Sequence, residues 1–411
     1  MNVLHLMSGS ITSGASRGAY WLHRALLEQG VSSHYMTTSR ETFGDPTVIS
    51  TTATRGGRIG TRARILLDNL PLWLRRHDGP KFSPAIAGYD FRKHPAYQSA
   101  DIVHLHWINS GLVRIEHLRG IDKPMVWTMR DIWPATGGCH YPFECDRFKN
   151  GCGRCPQLNS RRDHDLSHRI LKRKQRAIPK TTKLVCIADW MRDLAADSDV
   201  FRGFDIRIVH NSIDTDSFTP VDRKTAREIL GIPSDKICIL AGAQYLVSQF
   251  KGFDLLLRAL QGLERDRYRL LTFGRLPGKL VSGLRLEHRD FGFLADTVAL
   301  RLLYSSADMF VGPSIMDGLP KTLIEALSCG TPVVAFDSSG PGEIVTHQQD
   351  GYLARPFEIG DLARGIEWVA EHPDAGALSR AARANAVGKF DVKVAARKYV
   401  RIYEEISASG R

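Results

Sequence analysis

Asp317 and Glu325 stand eight positions apart in the stretch GPSIMDGLPKTLIEALSCGTPVVAF, residues 312–336. Ionised carboxylates accept hydrogen bonds from hydroxyl groups, so such a pair suits a sugar or a ribose. Between them lies the start of a helix, where peptide N–H groups and the helix dipole favour a phosphate. The chemistry these residue types allow is recognition of a phosphorylated sugar or nucleotide. The surrounding elements are legible too. Asp308–Val311 reads as a buried strand, and Gly318-Leu319-Pro320 as a turn with Pro320 opening a helix over Thr322–Ser328. Gly330 takes the left-handed cap position, Pro332 follows it, and Val333–Phe336 is wholly apolar, as a central parallel strand is. A loop leaving the carboxyl end of a parallel strand is where such sheets hold ligands.

This unit resembles the signature of the GT-B glycosyltransferases, specifically the large retaining family 4: a carboxylate, seven residues, Glu, then a Gly-Thr-Pro-Val-Val-Ala run. Asp317 stands where that family usually has Glu, and Glu325 is the second carboxylate. The resemblance implies an α/β architecture, two Rossmann-like parallel-sheet domains facing across a cleft. It implies a nucleotide-sugar donor, UDP- or GDP-linked, on the second domain and an acceptor on the first, with transfer under retention of configuration and no bound catalytic metal. Carried over, Asp317 contacts the transferred sugar and Glu325 the ribose, with Gly318, Leu319 and Pro320 beside the donor. Lys251, in KGFDLLLRAL, matches the lysine the family places on the donor diphosphate. The arginine usual six residues earlier is Tyr245 here, and Arg275 is the candidate to replace it.

Earlier in the chain, Asn2–Met7 reads as a strand, and the Gly- and Ser-rich loop Ser8–Gly18 leads into a helix that stops at Gly30. The resemblance places this loop at the cleft, with Gly14 and Arg17 as candidates. In DIVHLHW, 101–107, period two puts His104 and His106 on one face. His106, nearer the strand's carboxyl end, is the acceptor-side candidate. Arg130-Asp131 follows the strand Pro124–Met129; many relatives have His-Asp there, so only Asp131 keeps its type. The expected organisation is an acceptor-side domain over 1–215, a donor domain over 216–388 and a final helix, 389–411, returning to the first domain.

Two stretches do not belong to that signature. Cys139, Cys145, Cys152 and Cys155 form C-x5-C-x6-C-x2-C, laced with glycines and with His140 beside the first. Four cysteines ending in a C-x2-C knuckle suggest structural zinc. Reduced thiols or disulfides and an iron–sulfur cluster are the alternatives. The whole stretch is similar to a subgroup making colanic-acid-like exopolysaccharide and capsule. Arg55–His77 mixes six arginines with Ile65, Leu66, Leu67, Leu70, Leu72, Trp73 and Leu74 and reads as a basic amphipathic segment broken near Pro71. Such segments lie on anionic membrane surfaces, the alternative being a helix with a solvated basic face. His164–Ile178 reads as another basic helix with a solvated face.

At 411 residues the chain has length for two domains, and its net charge of +12 calls for an anionic partner. No C2H2 zinc finger, RNA-recognition signature or long basic tail points to nucleic acid. No apolar run approaches the roughly 20 residues that span a membrane, and MNVLHLM lacks a basic start. The expectation is a cytoplasmic enzyme, peripheral on the inner membrane face, acting on a lipid-linked or oligosaccharide acceptor. A non-catalytic relative serving a polysaccharide assembly complex is the alternative, supported by the missing arginine at 245 and histidine at 130. A GT-B epimerase or phosphorylase is a further one.

Overall fold

The computed structural model describes residues 1–12, 14–75, 77, 79–246, 248 and 250–409. Ser13, Arg76, Val247 and Gln249, each part of a segment singled out in the sequence, lie outside these residues. The chain divides into two compact units, Met1–Val209 with Ala395–Arg411, and His210–Val394.

The first unit is built on β1 (Asn2–Met7), β2 (Ser32–Thr37), β3 (Val48–Ser50), β4 (Ile102–Leu105), β5 (Met125–Met129), β6 (Lys183–Cys186) and β7 (Ile206–Ile208). They form one parallel sheet in the order β3-β2-β1-β4-β5-β6-β7. Val3, Leu4 and Leu6 of β1 and every residue of β4 and β5 are buried, as strands covered on both faces must be. The strand order reverses between β1 and β4, so the loops leaving these two strands flank the crevice where such sheets bind ligands.

The second unit repeats the design with β8 (Ile237–Tyr245), β9 (Tyr268–Arg275), β10 (Glu287–Asp290), β11 (Met309–Gly312), β12 (Val333–Phe336) and β13 (Gly351–Ala354), ordered β10-β9-β8-β11-β12-β13. All its pairs are parallel. Its reversal lies between β8 and β11, and the loops leaving those strands carry Lys251 and Asp317. The helix Lys321–Ser328 buries Leu323, Ile324, Ala326 and Leu327, and Glu325 with them.

Three expectations change. The helix Arg55–Trp73 runs through Pro71, which falls in its last turn, and the Leu74 N–H still reaches Leu70 O at 3.1 Å. A proline so near a helix end forfeits one interior bond without breaking the helix. The last helix is Val392–Ser409; Phe390 ends the preceding helix, Ala375–Phe390, and Asp391 turns the chain between them. From Ala395 this helix packs in the first unit, where Tyr399 and Tyr403 bond Thr128 and His104 at 2.7 and 2.6 Å. The third is the helix Leu166–Ala177, which is not solvated along its basic face. Lys174 is fully buried, and Arg173 holds Glu116 at 2.6 Å.

Candidate functional site

In the second unit, the loops after β8 and β11 are stitched together. Ile315 N–H donates to Phe250 O at 2.7 Å. Gly252 turns into the helix Phe253–Leu260 at φ +57°, so close to the other loop that a Cβ there would lie 2.1 Å from Pro313 O. This close approach sets Lys251 against Asp317, and Lys251 Nζ donates to Asp317 Oδ2 at 2.5 Å. The Asp317 backbone is held in turn: its N–H reaches Ser339 Oγ at 3.2 Å, and its carbonyl accepts from Gly340 N–H at 3.1 Å. Gly318 follows with its carbonyl against Gly340, where a Cβ would come within 2.3 Å. Leu319 is buried, and its carbonyl accepts from Asn211 Nδ2 at 3.2 Å. Pro320 is the N-cap of the helix Lys321–Ser328 and supplies no side-chain cap. A helix start without a capping acceptor beside a lysine is the arrangement that receives an anionic oxygen.

Glu325 lies on that helix but 5 % exposed, and its Oε2 accepts from Tyr304 O–H at 2.9 Å. The tyrosine fixes one carboxylate oxygen. Arg275 lies at the position the sequence left open: its Nη1 donates to Tyr245 O–H at 3.1 Å, and its guanidinium stacks over that ring at 5.0 Å. The arginine missing at 245 therefore has a cation beside it from the neighbouring strand.

In the first unit, Gly14 opens the helix Gly14–Glu28 in free space, with nothing within 4 Å of where a Cβ would sit. Arg17 lies over Trp21 of the same helix at 4.8 Å. His104 and His106 do share a face, their rings 4.0 Å apart, but His106 is in the core. Its Nε2 meets His5 Nδ1 at 2.9 Å and its Nδ1 faces Arg130 at 3.4 Å. Burial, then His104 and Arg130, push its pKa well below the ordinary histidine value. A neutral, enclosed imidazole is packed here among His5, His104 and Arg130. The nitrogens of His5, His104 and His106 lie within 4.8 Å of one another, but Arg130 beside them opposes a cation.

Asp131 accepts from His140 Nδ1 at 2.6 Å and Trp107 Nε1 at 2.8 Å, and its other oxygen accepts from Trp133 N–H at 2.9 Å. Burial opposes its charge, yet His140 and these donors hold its carboxyl below the ordinary range. His140 Nε2 meets Ser83 Oγ at 2.8 Å, and burial pushes its pKa down. A carboxylate accepts only, so Nδ1 carries the proton and Nε2 accepts from Ser83. His140 thus stands beside Asp131, nine residues on in the chain, where the residue preceding Asp131 is an arginine. Sequence reading noted His140 only as a neighbour of Cys139. Nothing in the spacing signals that the loop folds back.

Residues 12–217, half of the chain, match the profile described as Glycosyltransferase Family 4, and residues 222–387 that described as Glycosyl transferases group 1. A protein of Escherichia coli (strain K12), WcaC, provisionally named as a colanic acid biosynthesis glycosyl transferase, is 28% identical over 364 residues, 84% of this chain and 85% of that protein. Among solved structures, sucrose-phosphate synthase from Thermosynechococcus elongatus superposes with a TM-score of 0.71 at 17% identity over the whole of both chains. Anabaena HepE, solved in complex with UDP and glucose, does so at 0.67 and 16%, covering 98% of this chain and 100% of that one. These structural likenesses are likenesses of fold.

Proposed function

The chain belongs to glycosyltransferase family 4, and from that premise we propose that it transfers a sugar from a nucleoside-diphosphate donor to a saccharide acceptor with retention of configuration. The observation that carries this reading is the contact of Lys251 with Asp317 beside the uncapped start of the helix Lys321–Ser328. Lys251 and the first peptide N–H groups of that helix would hold the diphosphate. Arg275 would add charge, and Glu325 would accept from the ribose with the oxygen that Tyr304 leaves. Asp317, one methylene shorter than Glu, would bridge between the lysine and the sugar.

In the reaction the bond from the anomeric carbon to the diphosphate oxygen breaks, and the acceptor hydroxyl oxygen bonds that carbon from the same face. Its proton passes to the departing phosphate oxygen. The products are the glycoside and the nucleoside diphosphate. Charge grows on the leaving oxygens as the bond breaks, so fixed cations and N–H donors there favour the transition state over the bound donor.

The test is thermal stability with UDP, GDP, ADP and CDP in turn. A nucleotide at 100 times its dissociation constant adds about 2.7 kcal/mol. The expected outcome is a rise in Tm with UDP or GDP, lost in Lys251→Ala. No rise with any nucleotide would favour a non-catalytic partner in polysaccharide assembly. The UDP complex of HepE is the reason to try UDP first.

The acceptor reading, a lipid-linked saccharide at an anionic membrane, is supported by the helix Arg55–Trp73. Among the described residues, no helix is long and apolar enough to cross a membrane. This helix rests on its unit through Thr61, Asp68 and Leu72, with Asp68 accepting from Ile86 N–H at 2.7 Å. Ile59, Leu66, Leu67, Leu70 and Trp73 are left exposed. At 3.6 residues per turn they fall within an arc of about 120°. Arg55, Arg58 and Arg62 border it. An exposed apolar stripe beside arginines fits the headgroup boundary of an anionic bilayer. Vesicles rich in phosphatidylglycerol should float the wild type, and replacing Leu66, Leu70 and Trp73 by Ser should abolish flotation. Equal flotation of both proteins, or flotation of neither, would remove the membrane from this proposal.

A further inference from the structure

We propose that Cys139, Cys145, Cys152 and Cys155 are the four ligands of a structural zinc ion. Of the seven cysteines, these four line one cavity of about 20 Å³, while Cys186, Cys238 and Cys329 are buried elsewhere. That volume holds a single water-sized guest, which suits one ion and is too small for an iron–sulfur cluster. No three of the four sulfurs lie within 4.8 Å of one another. Tetrahedral Zn–S bonds of about 2.3 Å place sulfurs roughly 3.8 Å apart, so binding draws the four sulfurs together.

Lys174 is fully buried close to Cys139 and Cys152. It donates to Trp133 O and to Thr136 O, the latter at 2.8 Å, and lies over the Trp133 ring at 3.6 Å. No carboxylate among the described residues lies within ion-pair distance of it. Zinc with four thiolates would carry a charge of about −2, which a protonated Lys174 beside Cys139 and Cys152 would partly offset.

The backbone is committed as well. Gly151, Cys152, Gly153 and Arg154 have φ of +92°, +58°, +98° and +43°, four left-handed residues in succession, two of them carrying side chains. Such residues cost energy and persist only where surroundings demand them. The loop is anchored by Cys152 N–H to Arg147 O at 2.8 Å, Gly153 N–H to Ser167 Oγ at 3.0 Å and Cys155 N–H to Asp165 Oδ2 at 2.9 Å. The knuckle therefore packs on the helix Leu166–Ala177, and the first ligand, Cys139, directly precedes His140. The ion would hold in place the loop that presents His140 to Asp131.

The test uses the full chain purified without chelator. Elemental analysis should find about one zinc per chain, and all seven thiols should react once the chain is denatured with EDTA. Exchange into cobalt(II) should give thiolate-to-cobalt charge-transfer bands. Cys145→Ser should lower zinc retained per chain at least tenfold; where that variant does not fold, the cobalt spectrum of the wild type decides. Zinc-free protein with seven reactive thiols and no cobalt band overturns the proposal. So do three reactive thiols, which would mean two disulfides, and so does iron with visible absorption.

Discussion

Lys251→Ala lowers kcat/KM at least tenfold, about 1.4 kcal/mol of transition-state stabilisation. The lysine is held at 2.5 Å from Asp317 by two loops that leave adjacent parallel strands, with side-chain exposures of 26 % and 18 %. A partly exposed ion pair contributes about 0–1 kcal/mol to stability, so Tm should move little. The loss belongs to charge developing on the leaving diphosphate, where removal of one fixed donor typically costs about 10²–10³ in rate. Glu325→Ala has a similar effect on turnover but also leaves Tyr304 O–H without its carboxylate. Glu325→Gln keeps an acceptor for that tyrosine and removes the charge, so a loss in both variants assigns the effect to the carboxylate. Turnover near wild type in Lys251→Ala and in Glu325→Gln would refute the donor site.

The second large effect is on acid stability. His5, His23, His104 and His106 are all buried in the first unit, and burial lowers the pKa of each, that of His23 to about 4. Arg130 lowers three of them further; Asp45 raises His23 and Arg24 lowers it. Their partners are suited to neutral rings: His104 meets Tyr403 and Thr128 hydroxyls at 2.6 and 2.7 Å, and His23 meets Ser33 at 2.7 Å. A histidine whose folded pKa lies below its unfolded value of about 6.5 contributes stability above that pH, and the contribution is lost as pH falls. Each group then loses up to about 1.4 kcal/mol per pH unit, and His23 alone on the order of 3 kcal/mol by pH 4. The depressed carboxylates Asp45, Glu116 and Asp361, each near 2, lose their contribution only at lower pH. Urea midpoints at pH 7.5, 6.5, 5.5 and 4.5 should therefore fall steeply below 6.5. A midpoint unchanged down to pH 4.5 would show that these rings protonate inside the fold.

Together the two effects separate binding from folding. Lys251 is expected to alter rate with little change in stability, while the buried histidines are expected to govern how the first sheet survives acid. His106 was readable as a site residue because its strand and its neighbours match a known pattern. Its burial in the sheet interior is invisible until His5 of β1 is seen beside it.

What the sequence determined by itself is local and periodic. Turn residues around Gly318-Leu319-Pro320 and Gly330 bound a helix, apolar runs at 309–312 and 333–336 mark central strands, and the carboxylate spacing from 317 to 325 follows from that helix. These depend on backbone preferences and short-range burial, which neighbouring residues dictate. The tertiary structure alone decided the contacts between distant segments. Lys251 and Asp317, 66 positions apart, meet because β8 lies beside β11. His140 reaches Asp131 because the segment between them folds back, with Ile132 N–H donating to His140 O at 3.1 Å. The amphipathic pattern of 55–73 was plain, but which face turns outward depended on Asp68 and Thr61 finding partners on the unit and Leu66, Leu70 and Trp73 finding none. Lys174 looked like a solvated charge, and only packing buries it near Cys139 and Cys152. Burial and long-range contact are properties of the folded whole, and a linear pattern does not encode which of its own faces the rest of the chain will cover.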